Sequence, residues 1–362
     1  LKTDIQYPDL TKRSSNQIDE LFESRKSDHL SLSLSEKNEA LGGSGIDRIH
    51  LIHEAVPDID FNQISISQTI LGLKMPTPFL VSSMTAGHKD ASQVNHVLAE
   101  AAAKNGWLMG VGSQRRQLFD PSAKQEWVNL RKKVPNVKML GNLGLSQLSD
   151  ISIDQVKALI DTLEAEAMII HTNPLQEALQ PEGTPHFKDS LKALSVLAKN
   201  LAVPVILKET GCGFSKDSLD RLHDLGIKAV DLGGFGGTHW GRIEGDRAKS
   251  SNDVLRAQAA VAFADWGIST VDSMLNANSK VRPYEIWASG GVRSGVDAAK
   301  YFAMGAKAVG FAKPALQASL KGVETLVAWM DQVEFELKVA LFCTGCNNLV
   351  ELQEKKPWTN KI

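Results

Sequence analysis

The chain has 362 residues, 43% of them hydrophobic, with 40 Lys and Arg against 42 Asp and Glu, a composition that excludes general disorder and small stapled scaffolds. A net charge of −2 offers no basic surplus for nucleic acid or an anionic membrane, so any anion binding must be local. Three cysteines cannot form a disulfide framework and fit a reducing, cytoplasmic setting, and no window reaches the roughly 18 apolar residues of a membrane span.

Residues 1–77 lack a regular rhythm and read as an N-terminal extension. The opening Leu1 to Leu10 carries Lys2, Asp4 and Asp9 where a signal core would be apolar, and no function is assigned to it. Arg25 and Lys26 follow, with His29 four residues beyond Arg25 and hence on its face if the segment is helical. Gly42, Gly43 and Gly45 mark a flexible stretch, and Ile64 to Leu73 fits a hairpin or a cap on the bottom of a barrel.

From Pro78 to Cys346 short apolar runs alternate with amphipathic stretches, the rhythm of βαβ units. The predicted strands are Phe79 to Ser83, Leu108 to Gly112, Lys138 to Asn142, Ala167 to His171, Val205 to Glu209, Ala229 to Leu232, Glu285 to Ser289 and Ala308 to Ala312. Helices are predicted at Val94 to Lys104, Asp154 to Leu163, Lys188 to Lys199, Asp253 to Ala264 and Asp297 to Met304, the last stopped by Gly305. Eight pairs over about 250 residues imply an α/β fold, a (β/α)8 TIM barrel, with a doubly wound open sheet as the runner-up. Pro314 to Phe342 reads as one or two closing helices, and 347–362 as a C-terminal tail.

In such a barrel the site lies at the C-terminal strand ends. Glycine clusters there, Gly290-Gly291 after the seventh strand and Gly310 in the eighth, let backbone N–H groups approach a phosphate, although tight turn geometry alone would also require glycine. Lys208 ends an apolar strand and is either a fixed cation or Schiff-base amine, or simply paired with Glu209 or another carboxylate. Gln176 and Glu177 bring an amide and a carboxylate to the mouth together, and one carboxylate suffices for Mg²⁺ whose other ligands come from substrate phosphate; a solvated glutamate is the plainer reading. Arg25, Lys26, Arg115, Arg116 and Lys208 carry charge enough for a diphosphate, though each pair alone reads as surface. Cys343 and Cys346 form a lone CxxC and read as structural thiols, Trp107, Trp240, Trp266 and Trp287 read as packing residues, and His53, His88 and His96 lack metal-ligand spacing.

Arg25-Lys26-x-x-His29, Ser83-Met84-Thr85, Gly112-Ser113-Gln114-Arg115, Asn173-Pro174-Leu175-Gln176-Glu177, Gly236-Gly237-Thr238 and Ser289-Gly290-Gly291-Val292-Arg293 resemble, in this order, segments of the type 2 isopentenyl-diphosphate isomerases, FMN-dependent (β/α)8-barrel enzymes. The resemblance implies that Ser83, Met84 and Thr85 line the flavin, Ser113 and Asn142 contact its ring, and Lys208 lies near its N1/C2 edge, where reduced flavin is anionic. It implies that Gly233 contacts the cofactor and that Thr238, Gly291, Val292, Arg293, Ala312 and Lys313 surround its phosphate. Arg25, Lys26, His29, Ser113, Gln114, Arg115 and Gln176 would hold a small-molecule diphosphate, with Mg²⁺ on Glu177 and NADPH as reductant of the flavin. The implied catalytic residues are Gln176 and Lys208, the implied activity is isomerisation of isopentenyl to dimethylallyl diphosphate, and the implied assembly is a tetramer or octamer.

The chain departs from the family pattern at Ala86, Thr172 and His239-Trp240-Gly241, where Gly, an apolar residue and Ser-Trp-Ala are common. The main competing expectation is an FMN-dependent 2-hydroxy-acid oxidase or dehydrogenase, which needs a late histidine base, and no His follows His239. A Schiff-base aldolase using Lys208 and a non-catalytic phosphate-ligand sensor complete the set.

Overall fold

The computed structural model describes residues 28–84 and 89–361. Eight parallel strands close into a barrel: β1 (Phe79–Val81), β2 (Leu108–Gly110), β3 (Lys138–Gly144), β4 (Ala167–Thr172), β5 (Val205–Glu209), β6 (Ala229–Asp231), β7 (Glu285–Ala288) and β8 (Ala308–Phe311). Each pairs with its sequence neighbours, and β8 returns to β1 through Val309 opposite Phe79, which rules out an open doubly wound sheet. All eight expected strands form within a few residues of their predicted bounds.

Alternation along each strand divides the core in two. Leu80, Leu108, Leu140, Ala167, Ile169, Ile206, Ala229, Trp287 and Ala308 fill the barrel interior, while Phe79, Val81, Met109, Met139, Met168, Val205, Val230 and Val309 face the helices outside. Outside, Trp107 packs its ring against Phe79, Phe311 and Trp329 at centroid distances of 4.9, 5.7 and 5.8 Å, and its Nε1 donates to Glu334 Oε1.

The expected hairpin and the expected bottom cap are one element. Gln68–Ile70 pairs antiparallel with Leu73–Met75 around Leu71 and Gly72, both at positive φ, as a two-residue turn with the right twist requires. Its Ile70 and Met75 join the interior core, plugging the N-terminal end of the barrel, and Leu71 N donates to Glu285 Oε1.

The expected helices appear as Lys89–Asn105, Ile153–Leu163, Ser190–Asn200, Val254–Ala262 and Gly295–Ala303. Pro314 to Phe342 resolves into Lys313–Ser319 and Val323–Cys343, the latter laid across Lys89–Asn105 and Gly295–Ala303. Pro121–Lys133, Trp240–Ser250 and Thr270–Ala277 are further helices that the sequence reading did not mark.

Outside the barrel, Ile49–Leu51 pairs antiparallel with Trp358–Asn360, so the tail is not a loose end but is tied to the extension. The glycine stretch at 42–45, expected to be flexible, is anchored at Ser44, between the exposed Gly42 and Gly43 and the half-buried Gly45: Ser44 is buried, its carbonyl accepts from Val271 N, and a Cβ on Gly236 would lie 2.3 Å from Ser44 Cα. Among the four tryptophans read as packing residues, Trp107 and Trp287 are buried, whereas Trp266 is 58% exposed and Trp240 faces the barrel mouth. Cys212, Cys343 and Cys346 are free thiols, Cys346 being buried.

Replacing Ile70 with Ala removes an interior side chain at the end of the barrel remote from the mouth. We expect a loss of about 2–5 kcal/mol in guanidinium unfolding, with flavin affinity unchanged. A variant as stable as the wild type would show that the hairpin does not support the barrel floor.

Candidate active site

The strand pleat makes the site. Two residues beyond the interior apolar layer, the next inward positions carry Ser82, Gly110, Asn142, His171, Lys208, Asp231, Ser289 and Gly310, so a polar or glycine layer caps an apolar one. Above it lies a cavity of about 540 Å³. Of the residues expected there, His29, Ser83, Met84, Ser113, Arg115, Asn142, Gln176, Glu177, Lys208, Gly233, Thr238, Gly291, Val292, Arg293, Ala312 and Lys313 all line it. Arg25, Lys26 and Thr85, with Ala86 and His88, lie outside the described residues.

Gln114 is not brought to the cavity. It is buried beneath, where its Nε2 donates to Leu159 O and its Oε1 accepts from Asn142 N, so it positions Asn142 rather than facing a ligand. Asn142 in turn donates to Val111 O through Nδ2, leaving Oδ1 to accept from His171 Nδ1 at 2.7 Å. That arrangement places the Nδ1 proton on His171, a cavity-lining residue that the sequence analysis names only as the end of a strand.

Lys208 Nζ lies 2.5 Å from Asp231 Oδ2 and 2.8 Å from Ser289 Oγ, and Ser289 Oγ donates to Asp231 Oδ1 at 2.5 Å. All three side chains are buried, and they join β5, β6 and the end of β7. The carboxylate paired with Lys208 is thus Asp231, not the adjacent Glu209. Strand alternation turns Glu209 away from the interior, where its Oε2 accepts from Cys212 N and Gly213 N. Burial pushes the Glu209 carboxyl up to about 8 against those backbone donors, and its Oε1 has no partner among the described residues.

On the opposite wall, helix Pro174–Leu179 presents Gln176 and Glu177. Asn173 caps it by accepting from Gln176 N at 2.8 Å, and Pro174 suits its first turn. Glu177 Oε2 accepts from Thr184 N at 2.6 Å. Gln176 Nε2 donates to Glu244 Oε1 at 3.3 Å, the oxygen that His29 Nε2 meets at 2.7 Å, while Arg247 holds Glu244 Oε2 and Glu182. Burial alone would raise the Glu244 carboxyl, but the His29 imidazole and the Arg247 guanidinium outweigh it and hold it at about 2. His29 also packs edge-on against Trp240, at 5.1 Å between centroids.

The third wall explains both readings of the glycine runs. A Cβ on Gly290 would lie 2.2 Å from Gly234 O, one on Gly291 2.6 Å from Gly236 O, and one on Gly237 2.8 Å from Gly291 N. The loops after β6 and β7 therefore pack backbone to backbone, which glycine alone permits, and the same packing forms a cradle beside Arg293 and Lys313. Glu39, from the extension, bridges those two cations.

The unusual His239 has a structural use. Its Nδ1 accepts from Arg242 N as the cap of helix Trp240–Ser250, and Nε2 meets Trp266 O at 3.2 Å; burial holds it below the usual imidazole range. A Cβ on Gly241 would lie 3.0 Å from the His239 ring, so these two departures belong together.

The residues present fit FMN. Ser82 Oγ and Ser83 Oγ are buried without a hydrogen-bond partner among the described residues, and both residues line the cavity. Gly310 and Gly110 leave room for them, since a Cβ on either would meet a serine Oγ at 2.5 Å. Among the described residues no group of three or more His, Cys, Asp and Glu could hold a metal ion, so a metal on Glu177 needs ligands from a substrate.

The family model for FMN-dependent dehydrogenases matches residues 142–359. An isopentenyl-diphosphate delta-isomerase of Legionella pneumophila is 52% identical over 92% of this chain and 97% of that protein. The corresponding proteins of Bdellovibrio bacteriovorus and Methanococcoides burtonii are 49% and 40% identical, covering 92% and 91% of this chain and 97% and 90% of theirs. Among solved structures, a mandelate oxidase superposes with a TM-score of 0.60 at 16% identity over 93% of this chain and 95% of its own. A flavocytochrome b2 mutant gives 0.63 at 17% identity over 97% and 87%, a likeness of fold.

Glu244 gives the site an acid limit. Its carboxyl titrates near 4.5 when unfolded and about 2 when folded, so its contribution is complete above the former and lost as pH falls through the latter, an effect of roughly 3 kcal/mol. Urea unfolding between pH 2 and 5 should show the wild type losing about that much more stability than Glu244→Gln. Parallel curves would contradict an ionised Glu244.

Proposed function

The chain belongs to the isopentenyl-diphosphate delta-isomerase family, and from that premise we propose that it converts isopentenyl diphosphate to dimethylallyl diphosphate, with reduced FMN in the cavity and Mg²⁺ on the diphosphate. The observation that carries the reading is the division of one cavity into a buried cation, Lys208, a glycine cradle flanked by Arg293 and Lys313, and a separate polar wall of Arg115, Gln176 and Glu177. These suit, respectively, an electron-rich ring, a phosphate and a diphosphate.

Reduced FMN, when bound, would supply the acid/base chemistry and an electron-rich face, with NADPH as its reductant. The protein's own groups bind and orient. Lys208, fixed by Asp231 and Ser289, would set a positive charge at the ring's N1/C2 edge. Ser82, Ser83, Met84, Ser113 and Asn142 line the cavity and would meet the ring, a role that the family pattern also gives to Thr85. His29 and Arg115, with Arg25 and Lys26 by the family pattern, would hold diphosphate oxygens, and Glu177 would give Mg²⁺ its protein carboxylate. Gln176, donating to Glu244, orients the reacting carbons or relays a proton.

The oxidase alternative draws on the family model and on structural neighbours alike in fold. Its late histidine base has no counterpart: no His follows His239, whose two ring nitrogens already face Arg242 N and Trp266 O. An aldolase amine fits poorly at Lys208, whose Nζ donates to both Asp231 and Ser289.

Val254, Leu255, Val261, Phe263 and Trp266 expose an apolar face, which supports a homo-oligomer, tetramer or octamer. Trp266→Glu should lower the mass measured by light scattering; an unchanged mass would argue against this face. Three free thiols support a cytoplasmic location, and among the described residues no helix is long and apolar enough to cross a membrane.

Anaerobic incubation with FMN, NADPH, Mg²⁺ and isopentenyl diphosphate should yield dimethylallyl diphosphate. No product with flavin bound and reduced, or flavin reduction by lactate or glycolate, would overturn the reading. In the same assay Glu177→Gln should cut turnover by roughly tenfold or more at limiting Mg²⁺ while flavin binding stays near wild type. Loss of flavin instead would contradict the role given to Glu177.

A further inference from the structure

The two cations beside the glycine cradle already have an anion. Lys313 Nζ lies 2.8 Å from Glu39 Oε1 and Arg293 Nη2 lies 2.7 Å from Glu39 Oε2, so one carboxylate engages both. Glu39 lines the same cavity as Gly291, Val292 and Lys313. Backbone contacts fasten it there: Glu39 forms a bridge with Thr238, and Ala40 N donates to Gly237 O at 2.8 Å. The carboxylate leaves this corner with one net positive charge among the three side chains instead of two.

We propose that Glu39 is an internal competitor for the phosphate of FMN, a residue of the N-terminal extension that sets how tightly the cofactor is held; the inference rests on the reading of the cradle as the phosphate site. A phosphate entering the cradle meets cations that each already spend one charge-assisted hydrogen bond on a carboxylate. If it shares them with Glu39, two anions sit side by side in a partly buried corner. If it displaces Glu39, two charge-assisted bonds break and the strand-like contact with Gly237 and Thr238 is pulled. In either case part of the attraction of Arg293 and Lys313 is spent. Riboflavin, with the same ring and no phosphate, escapes that cost.

Residues 36–40 follow closely on the segment that carries His29, and His29, Glu36 and Glu39 line one cavity.

The test is equilibrium titration of flavin-stripped wild type, Glu39→Gln and Glu39→Ala with FMN and with riboflavin, followed by quenching of flavin fluorescence. The readout is the ratio of the two affinities, because a general loosening of the fold moves both flavins together. Both variants are expected to bind FMN about tenfold more tightly relative to riboflavin than the wild type does. A ratio unchanged or lowered in both variants overturns the proposal and makes Glu39 a residue that merely holds Arg293 and Lys313 in position. No preference for FMN over riboflavin in the wild type or in either variant overturns the phosphate-site reading itself.

Discussion

A lysine at an inward position of a barrel strand can be buried only if an anion goes with it, because an unpaired charge out of water costs several kcal/mol. Lys208 meets this constraint through Asp231 on the neighbouring strand and Ser289 beyond the next one. The three residues occupy the same inward layer, so their hydrogen bonds also tie β5, β6 and the end of β7 together at the mouth. With two of its donors committed, the lysine has a defined direction rather than a sweep of rotamers. The cavity floor is therefore preorganised for whatever ring lies on it.

The remaining walls arrange themselves around that floor. Glycines in the loops after β6 and β7 pack so closely that no side chain could intervene, and the cradle follows from that packing. Glu244, fully buried, gathers His29, Gln176 and Arg247 on the far side. The tail clasps the extension through Ile49–Leu51 and Trp358–Asn360, while Arg242 donates to Lys37 O and His239 N to Asn38 O. These contacts lay residues 28–40, with His29 and Glu39 among them, against the barrel mouth.

Much of this was legible in the sequence because strand and site obey the same alternation. The apolar runs gave all eight barrel strands, and residues just past them gave most of the cavity wall. The inward polar layer was also written there, two residues beyond each interior apolar side chain, but Ser82, Asp231 and Ser289 lay inside the predicted strands rather than after them. Counting by twos within the strands would have found them. Glu39 and Glu244 had no such signal, since Glu39 takes its role from Arg293 and Lys313 and Glu244 from His29 and Gln176, all distant in sequence. Trp240 and Trp266, alike as bulky apolar residues, ended in the mouth and on the surface, because which side a connecting segment turns outward is decided by its neighbours in space. His239, a departure from the family pattern, proved to be a helix cap, and a Cβ at Gly241 would crowd its ring.

The central claim is that one cavity holds the flavin ring on Lys208, its phosphate in the glycine cradle and a diphosphate on the opposite wall. A crystal structure of the reduced protein with FMN and isopentenyl diphosphate tests it most directly. The account predicts the ring's N1/C2 edge within hydrogen-bond distance of Lys208 Nζ, the flavin phosphate against Gly291 and Ala312, and the diphosphate between Arg115 and Glu177. A flavin bound with its ring away from Lys208, or a diphosphate seated in the glycine cradle, would contradict it.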